Sequence, residues 1–317
     1  MNVDVVCSVY NGARFLPDFL RSLANQTHAD WRLWVRDDGS CDESVALVRR
    51  QAASDQRVHF LTSDAASWLG ATQSFAWLLQ HVPADSAYVM FADQDDVWLP
   101  RKIEQTLAAM QAAEADLGRT TPILVHTDLT VVDESLNTVH SSFWQFAGLR
   151  AEPVSLRRLA VQNNTTGAAT MINRSLLELV GAIPREAAYH DWWCALVAAA
   201  FGRVIAVPIP TVLYRQHGAN AVGASDARLP WIRLPSAIAS RVTNTSHFRF
   251  GLRMSAAQAG AFLERYGQRL SSEDRNFLRS YAALPRQRLI QRKLDLLRLR
   301  TLPEHGLLQT LGILLRG

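Results

Sequence analysis

Short apolar segments alternate with amphipathic helical segments through the first 120 residues, and this alternation constrains the fold more than any other feature of the chain. Strands are predicted at residues 3–9, 31–36, 58–61 and 88–92, with helices between them and after the last. Strands separated by single helices indicate βαβ units, in which neighbouring strands run parallel. We therefore predict an α/β fold with a mostly parallel sheet flanked by helices.

The pattern is less regular after residue 120 and changes again near residue 223. Further strands are predicted at 123–133, 167–173, 204–207 and 212–215, with a helix at about 191–201. Residues 223–230 are typical of a linker, and the segment beyond them is helical and rich in arginine. A helical face near the end carries Leu307, Leu308, Leu311, Leu314 and Leu315. The sequence thus predicts two regions, 1–223 and 224–317.

Charge is distributed unevenly between the two ends of the chain. Residues 228–317 carry 16 Lys and Arg against 5 Asp and Glu, a net charge of +11, whereas residues 1–227 have a net charge of −7. Basic amphipathic helices suit an anionic membrane surface, but they also suit a helical bundle that packs on the first region with a solvated basic face. Both interpretations stay open. No nucleic-acid-binding motif accompanies the charge, so no nucleic acid partner is predicted.

The cysteines and the apolar segments indicate in which cellular compartment the protein is found. Cys7, Cys41 and Cys194 lie far apart and form no CxxC pair, so neither a disulfide framework nor a zinc site is indicated. We see no basic leader with a cleavage site, and no apolar stretch near the roughly 18–20 residues that a membrane span needs. We expect a cytoplasmic protein, with peripheral association on the inner face of the cell membrane as a further expectation.

Three polar clusters each follow a predicted strand directly. They are Tyr10-Asn11-Gly12, Asp37-Asp38-Gly39-Ser40 and Asp93-Gln94-Asp95-Asp96. Because ligands bind at the carboxyl ends of parallel strands, we expect the clusters to meet in one crevice. Hard oxygen ligands hold Mg²⁺ or Mn²⁺ at a diphosphate, and Asp93 and Asp95 could divide ribose and metal contacts between them. Each cluster alone is also typical of a turn or a helix cap.

Residues further along the chain add candidates for proton transfer and binding. Asp191 lies at a predicted helix start, where it could act as a general base for an acceptor hydroxyl or as an N-cap. Trp192 and Trp193 could stack on a sugar, although two tryptophans in an apolar helix are more often core. His217 could supply an imidazole ligand to a metal, and Arg215 matches the geometry of a diphosphate.

Read together, six segments resemble glycosyltransferase family 2, whose members are inverting enzymes with a GT-A fold, and more narrowly its bacterial rhamnosyltransferase-type members. The resemblance covers about residues 3–223. It rests on the segments VCSVYNG, VRDDGSCDES, FADQDDVWLPRKIE, NNTTGAATMINRSL, HDWWCALVAAAFG and LYRQHGANAVG. The fold that the resemblance implies is a GT-A-type, Rossmann-like sheet flanked by helices, followed here by a C-terminal helical region.

The resemblance also implies roles for individual residues. The nucleotide-sugar donor is expected at Tyr10, Asn11, Gly12, Asp37, Asp38, Asp93, Gln94, Gly167 and Arg215. A divalent Mg²⁺ or Mn²⁺ is expected at Asp95 and His217. Asp191 matches the catalytic base, and Thr166 and Trp192 are expected at the acceptor. The chain departs from the family at His190, where an acidic residue is common, and at Ser63 and Ser74, where many members carry asparagine.

These assignments predict a metal-dependent, inverting transfer of a sugar from a nucleotide diphosphate to an acceptor hydroxyl. The resemblance implies rhamnose from dTDP-rhamnose as the donor, with another donor such as a UDP-hexose as the alternative. It implies a growing bacterial surface glycan or a lipid-linked oligosaccharide as the acceptor.

Three other classes of protein explain the sequence less well. A dinucleotide-dependent oxidoreductase is disfavoured because no GxGxxG motif follows the first strand. A glycoside hydrolase would use two carboxylates but would not explain the phosphate-directed clusters. A non-catalytic nucleotide-sugar-binding module predicts the loss of Asp95, Asp191 or His217, and all three are present.

Overall fold

A computed structural model describes residues 1–62, 68–152, 155–218 and 245–299. The strands within these ranges are β1 (Val3–Val9), β2 (Trp31–Asp37), β3 (Val58–Leu61), β4 (Tyr88–Asp93), β5 (Val97–Trp98), β6 (Ile123–Val132), β7 (Thr138–His140), β8 (Thr170–Asn173) and β9 (Arg203–Arg215). The first helices are α1 (Leu16–Ala24), α2 (Ser44–Ser54), α3 (Ala71–His81), α4 (Lys102–Leu117), α5 (Phe143–Phe146) and α6 (Leu156–Val161). The later helices are α7 (Arg174–Val180), α8 (His190–Phe201), α9 (Thr245–Tyr266), α10 (Ser272–Ala283) and α11 (Leu289–Arg298). The predicted linker at 223–230 and the leucine face at 307–315 lie outside the described residues.

The nine strands form one sheet in the order β3-β2-β1-β4-β8-β6-β9-β5, with β7 paired to β6 beside this path. Strands β3, β2, β1 and β4 run parallel, as the βαβ interpretation predicted. Beyond β4 the sheet is mixed, because β8 is antiparallel to both of its neighbours while β6 and β9 are parallel. The predicted α/β class is confirmed, and its parallel part is the half that carries the aspartate clusters.

Successive side chains of the central strands divide between two apolar layers, as the two-residue period of a strand requires. On β4, Val89 and Phe91 face one layer, whereas Met90 and Ala92 face the other. The first layer packs against α3, α8 and the C-terminal helices, and the second packs against α1 and α4. Burying a side chain of this size stabilises the fold by about 1.5–3 kcal/mol, so the sheet is fixed from both faces.

The C-terminal helices α9 and α10 extend the first apolar layer. Phe262 of α9 packs edge-on against Trp193 of α8, with ring centroids 5.5 Å apart. Arg157 of α6 forms an ion pair with Asp274 of α10 at 3.2 Å. These two helices therefore pack on the sheet domain, which was one of the two interpretations of the basic segment. The predicted boundary at residue 223 lies outside the described residues.

Two elements differ from their predicted form for local reasons. Strand β9 is continuous where two strands were predicted, because a register shift opposite Thr127 and Asp128 accommodates the proline pair Pro208 and Pro210. The predicted strand at 167–173 begins instead as a single 3-10 turn before β8. Within the described ranges, no helix is long and apolar enough to cross a membrane.

Candidate active site

The carboxyl ends of β1, β2 and β4 bring the predicted polar clusters to one edge of the sheet. Val9 of β1 is in register with Asp37 of β2, and Ser8 is in register with Asp93 of β4. The loops that follow these strands therefore start side by side. This is the crevice that the order of strands and helices predicted.

All three loops are joined by side-chain hydrogen bonds, two of them through the amides of Gln94 and Asn11. The amide of Gln94 accepts from the Tyr10 N–H and donates to the Tyr10 carbonyl, both at 2.9 Å. Asn11 has a positive φ of 46°, and its side-chain oxygen accepts from the Cys41 N–H at 2.8 Å. The Asn11 N–H in turn donates to the Ser40 hydroxyl at 2.9 Å. Gln94 and Asn11 thus shape the mouth of the crevice.

Gly12 is needed for this arrangement because a larger residue would displace the amide clamp. A Cβ atom at Gly12 would lie 2.1 Å from Oε1 of Gln94, far inside van der Waals contact. The Gly12 N–H also donates to the Ser44 hydroxyl at 2.8 Å, which ties the loop to the start of α2. The contact with Gln94 therefore explains why glycine occupies position 12, which was predicted to lie at the donor site.

Asp37 and Asp38 have different surroundings although they are adjacent. One carboxylate oxygen of Asp37 accepts from the Gly39 and Ser40 N–H groups, both at 3.0 Å. Its other oxygen, Oδ1, is buried and has no hydrogen-bond partner among the described residues. A buried carboxylate oxygen without a partner is costly, so Oδ1 is a candidate acceptor for a ligand donor.

The Asp38 carboxylate is used within the protein. It accepts from the Leu69 and Gly70 N–H groups at 2.9 and 2.8 Å, and it pairs with Arg36 at 2.5 Å. Both oxygens are buried by these contacts. Asp38 therefore holds the loop at 69–70 beside the crevice, and its predicted contact with a nucleotide stays a prediction.

Asp93 is the last residue of β4. Burial of its carboxylate and, after it, the negative charges of Asp95 and Asp191 raise its pKa to about 7. A carboxyl group in such surroundings holds its proton more strongly than a free one does.

Asp95 and His217 meet although 122 positions separate them in the chain. Nε2 of His217 lies 2.8 Å from Oδ2 of Asp95. The imidazole also packs on the Phe15 ring, with centroids 4.7 Å apart, which fixes its orientation. A carboxylate and an imidazole at this spacing can bind one divalent cation, although they come from distant parts of the sequence.

Asp95 and His217 suit a cation whose remaining coordination positions are filled by a substrate and water. Among the residues that the structure describes, no group of three His, Cys, Asp or Glu side chains has metal-binding geometry. Mg²⁺ at nucleotide sites is commonly held by one or two protein groups, with phosphate oxygens and water in the remaining positions. Asp95 and His217 match that pattern. The residues present are thus compatible with Mg²⁺ or Mn²⁺.

Arg215 lies near the site but its guanidinium points elsewhere. Nη2 donates to Asp18 at 2.9 Å, Nη1 donates to the Glu134 carbonyl at 3.0 Å, and the group lies 4.5 Å above the Phe15 ring. These contacts attach β9 to α1. Within the protein Arg215 thus braces the end of β9, and its predicted contact with a diphosphate stays a prediction.

Asp191 occupies the second position of α8, and its side chain is buried. Burial raises its pKa to about 6, while hydrogen bonds to the carboxylate oppose the shift. The Trp192 N–H donates to Oδ1 at 2.7 Å, and the Asn163 side-chain amide donates to Oδ2 at 3.4 Å. The N-cap position belongs to Tyr189, so the N-cap interpretation of Asp191 is wrong.

The turn at 166–169 packs directly against this aspartate. A Cβ atom at Gly167 would lie 3.0 Å from Nε2 of His190 and 3.6 Å from Cβ of Asp191. The Thr166 carbonyl accepts from the Ala169 N–H at 2.9 Å, which closes the turn. Burial lowers the pKa of His190 to about 3, so this neighbour of Asp191 is neutral. His190 therefore adds no positive charge beside the candidate base, and it replaces the acidic side chain that is common at this position in the family.

Trp192 is buried in the described structure, and its indole N–H donates to the Leu159 carbonyl at 2.5 Å. This bond joins α8 to α6. The predicted contact of Trp192 with an acceptor stays a prediction.

Two residues of the site were not singled out by the sequence. Asn163 lies within the quoted segment NNTTGAATMINRSL, but an amide gives no sign of which carboxylate it will meet. Lys102 is fully buried beneath the aspartate turn, with Nζ 4.7 Å above the Trp98 ring. Its position at a helix start is typical of an exposed lysine, so only the three-dimensional arrangement identifies it.

The fold and the crevice agree with comparisons to known proteins. The family model for glycosyl transferase family 2 matches residues 4–178, which is more than half of the chain. The chain belongs to this family, and the predicted GT-A-type fold is confirmed.

Individual relatives are distant. An uncharacterized glycosyltransferase of Nostoc sp. is 28% identical over 232 residues, covering 69% of this chain and 66% of the relative, slightly less than two thirds of its length. The dTDP-rhamnosyl transferase RfbG of Shigella flexneri is 24% identical to this chain, and the match covers 69% of this chain and 74% of the length of RfbG. The mannosyltransferase of Pyrobaculum calidifontis, solved with GDP-Man and Mn²⁺, superposes with a TM-score of 0.52 at 18% identity. This last match covers 99% of this chain and 85% of the other, and it supports the fold alone.

Proposed function

We propose that this chain is an inverting glycosyltransferase that moves a sugar from a nucleotide diphosphate onto an acceptor hydroxyl. The observation that carries the proposal is the contact at 2.8 Å between Nε2 of His217 and Oδ2 of Asp95, directly after the end of β4. The chain thus offers a metal-binding pair there and a candidate base, the buried Asp191 at the start of α8. A sugar transfer needs these two functions a few ångströms apart, with the anomeric carbon between them.

The donor lies at the carboxyl ends of β1, β2 and β4. The unpartnered Oδ1 of Asp37 accepts a hydrogen bond from a nucleobase N–H or a ribose hydroxyl. Tyr10, about half exposed at the mouth, covers the nucleotide, and its backbone is held in place by Gln94. Asp93 orients the ribose or the transferred sugar. Asp38 acts indirectly, because it positions the loop at 69–70 beside the donor.

Asp95 and His217 would hold the divalent cation, Mg²⁺ or Mn²⁺. A cation at this position stabilises the negative charge of the departing diphosphate. The Mn²⁺ in the structure of the Pyrobaculum mannosyltransferase supports this choice by analogy of fold.

Asp191 accepts the proton of the acceptor hydroxyl. With a pKa of about 6, most of the side chain is ionised at neutral pH and still basic enough to share a proton in the transition state. The acceptor oxygen forms a bond to the anomeric carbon while the bond from that carbon to the diphosphate oxygen breaks. Attack from the face opposite the leaving group inverts the configuration. Gly167 and Thr166 line the acceptor side next to Asp191.

For the donor we propose dTDP-rhamnose, with a UDP-hexose as the alternative. Support comes from the Shigella relative, a dTDP-rhamnosyl transferase that matches 69% of this chain. For the acceptor we propose a bacterial surface glycan or a lipid-linked oligosaccharide.

We also propose that the protein works at the cytoplasmic face of the membrane. Helix α11 exposes Ile290 by 77% and Leu294 by 44%, while Leu296 on its opposite side is buried. Arg286 and Arg288 are exposed directly before these apolar side chains. An apolar pair next to cationic groups matches an anionic lipid surface, where lipid-linked acceptors are found.

The experiment that tests the function is a screen of donors. The purified protein is incubated with dTDP-rhamnose, UDP-glucose, UDP-N-acetylglucosamine or GDP-mannose, and the released nucleoside diphosphate is measured with Mn²⁺ and with EDTA. We expect release from one donor that depends on Mn²⁺ and falls to background in EDTA. Thermal stabilisation by a donor without release, with acceptor glycans present, would instead identify a non-catalytic binding module.

A further inference from the structure

One face of helix α9 bonds to the backbone of the segment that leads to the candidate base. Oε1 of Gln258 accepts from the Ala188 N–H at 2.9 Å, and the Tyr266 hydroxyl donates to the Leu179 carbonyl at 2.9 Å. Gln258 and Tyr266 have the spacing i and i+8, which places them on one face of the helix. Helix α9 thus binds both ends of the stretch between the end of α7 and the start of α8.

Both backbone polar groups of Ala188 bond to side chains of other helices. Its N–H donates to Gln258 of α9, and its carbonyl accepts from the Thr72 hydroxyl of α3 at 3.2 Å. Tyr189 follows as the N-cap of α8, and its carbonyl accepts the first helical hydrogen bond, from the Trp193 N–H at 3.0 Å. The direction in which α8 starts is therefore fixed at Ala188.

The start of α8 determines where the candidate base lies. Asp191 is the second residue of this helix, so its carboxylate moves with the first turn. Little free space surrounds it, because a Cβ atom at Gly167 would lie 3.6 Å from Cβ of Asp191. A base must lie within hydrogen-bond reach of the proton that it removes, and a misplacement of about 1 Å can cost a factor of about 10² in rate. A change in the way α8 starts would thus act on the proposed proton transfer.

Gln258 is a polar residue on an otherwise apolar face of α9. It is fully buried, and its neighbours on this face, Ala259 and Phe262, are buried as well. Its Nε2 donor has no hydrogen-bond partner among the described residues. A buried amide is costly unless it forms hydrogen bonds, and an apolar side chain would pack against α8 without this cost. The bond to Ala188 is therefore what a glutamine contributes at this position.

We propose that Gln258 and Thr72 are positioning residues that hold Ala188 between α9 and α3 and thereby orient Asp191 toward the acceptor. The inference rests on the proposed function, because the orientation of Asp191 matters for transfer only if this residue is the base. It deepens that function by making the C-terminal helices part of the active site. Gln258 lies beyond residues 4–178, which the family model matches.

A purely stabilising role of the Gln258 bond makes a different prediction. Helix α9 also forms a buried hydrogen bond with α10, where the Ser255 hydroxyl lies 2.8 Å from the Tyr281 hydroxyl. Ser255→Ala is therefore the matched control, because it removes a buried bond of α9 that joins this helix to α10 and not to Ala188. A general loss of stability would affect Gln258→Met and Ser255→Ala alike.

The first test follows amide hydrogen exchange without substrates or metal, so that it does not depend on turnover. Gln258→Met keeps the length of the side chain and removes the acceptor, so we expect exchange at residues 186–190 to become about tenfold faster. Ser255→Ala should leave these amides unchanged. Natural exchange at 186–190 in Gln258→Met, or equal acceleration in Ser255→Ala, would overturn the proposal.

A second variant covers the case in which Gln258→Met does not fold. Thr72 is only partly buried near the start of α3, and Thr72→Val removes the hydroxyl that donates to the Ala188 carbonyl. We expect exchange at 186–190 to become about threefold faster in this variant. Natural exchange there would show that Ala188 is not held from the side of α3, against the proposal.

The closing test measures sugar transfer with the donor that the release assay identifies. We expect Gln258→Met to lower kcat about tenfold and to leave KM for the donor within about twofold, because the bond acts on the base and not on the donor. Ser255→Ala should keep the natural kcat. An unchanged kcat in Gln258→Met, or a raised KM at the natural kcat, would contradict a role in orienting Asp191. If the natural protein transfers no sugar, the proposed function fails, whereas exchange at 186–190 still decides whether Ala188 is held by α9 and α3.

Discussion

At Asp191, burial and hydrogen bonding act on the pKa in opposite directions. Burial raises it to about 6, and hydrogen bonds from Trp192 and Asn163 limit the rise. Since a base must be ionised to accept a proton, kcat/KM should fall as the pH decreases through the pKa of the free enzyme. The residues around Asp191 thus set the acid limb of the pH profile.

Asn163→Ala tests this link. The substitution removes a donor that stabilises the carboxylate, so the pKa of Asp191 should rise and the acid limb should move to higher pH. We expect a loss of activity of about threefold at pH 6 and little loss at pH 8, measured as kcat/KM. Asn137→Ala is the control, because it removes an amide that bonds to Asp133 in an exposed turn. Acid limbs that coincide in the two variants would contradict the assignment.

The site was predictable from the sequence where a residue's position along a strand decides its role. Asp93 ends β4 and Asp95 follows it, and the alternation of strands and helices was enough to place them at the edge of the sheet. The contacts that Arg215 and Trp192 make within the protein were not predictable, because they depend on which neighbours their side chains reach. Lys102 needed the packing of α4 against the aspartate turn.

The connection between α8 and β9 contains the tightest glycine among the described residues. A Cβ atom at Gly202 would lie 1.8 Å from the Pro122 carbonyl oxygen, which belongs to fixed backbone. The corner brings the end of α8 against the start of β6, and the Arg203 N–H donates to the same carbonyl at 2.9 Å. Backbone cannot yield as a side chain can, so only glycine fits here.

Gly202→Ala should therefore lower the free energy of unfolding by about 2 kcal/mol or more. Gly251→Ala is the matched control, because Gly251 lies within α9 and a Cβ atom there would meet nothing within 4 Å. The control should raise stability by about 0.5–1 kcal/mol, as expected for alanine in place of glycine in a helix. Urea unfolding measures both. Equal stability of Gly202→Ala and the natural protein would contradict the close approach.

The elements with strong periodicity were predicted closely. Strand β3 was predicted at its observed bounds, and β2 and β4 each extend one residue further, to Asp37 and Asp93. The two-residue strand β5 and the short helix α5 were not predicted, because segments of two to four residues carry no measurable period. Strand β5 forms by pairing with β9, which lies much later in the chain. Helix α5 is held to β6 by the bond from the Trp144 N–H to Asp128.

For the whole molecule, part of the basic C-terminal segment packs on the sheet domain, and another part carries the membrane contact that we propose. Helices α9 and α10 pack on the sheet domain through Phe262 and Asp274. Helix α11 still exposes Ile290 and Leu294 next to Arg286 and Arg288. Net charge indicates a basic surface but does not say which helices are covered, so the sequence alone could not separate these roles.

Vesicle flotation of the full chain tests the membrane proposal. We expect flotation with vesicles that contain phosphatidylglycerol and little with pure phosphatidylcholine, since the attraction is partly electrostatic. Ile290→Ser combined with Leu294→Ser should reduce flotation several-fold by removing the apolar contact. Val139→Ser is the control, because Val139 is 55% exposed on β7 and outside α11. Equal flotation of the double variant and the control would contradict a role of α11.

The measurement that tests the central claim most directly compares Asp191→Asn with the natural protein in one sample, using the donor that the release assay identifies. Donor binding with Mn²⁺ is followed by titration calorimetry, and glycosylated product is quantified from the same mixture. We expect binding within about threefold of the natural protein and transfer slower by a factor of about 10²–10⁴, because the substitution removes the base while keeping its shape. Transfer near the natural rate would contradict the assignment of Asp191 as the catalytic base.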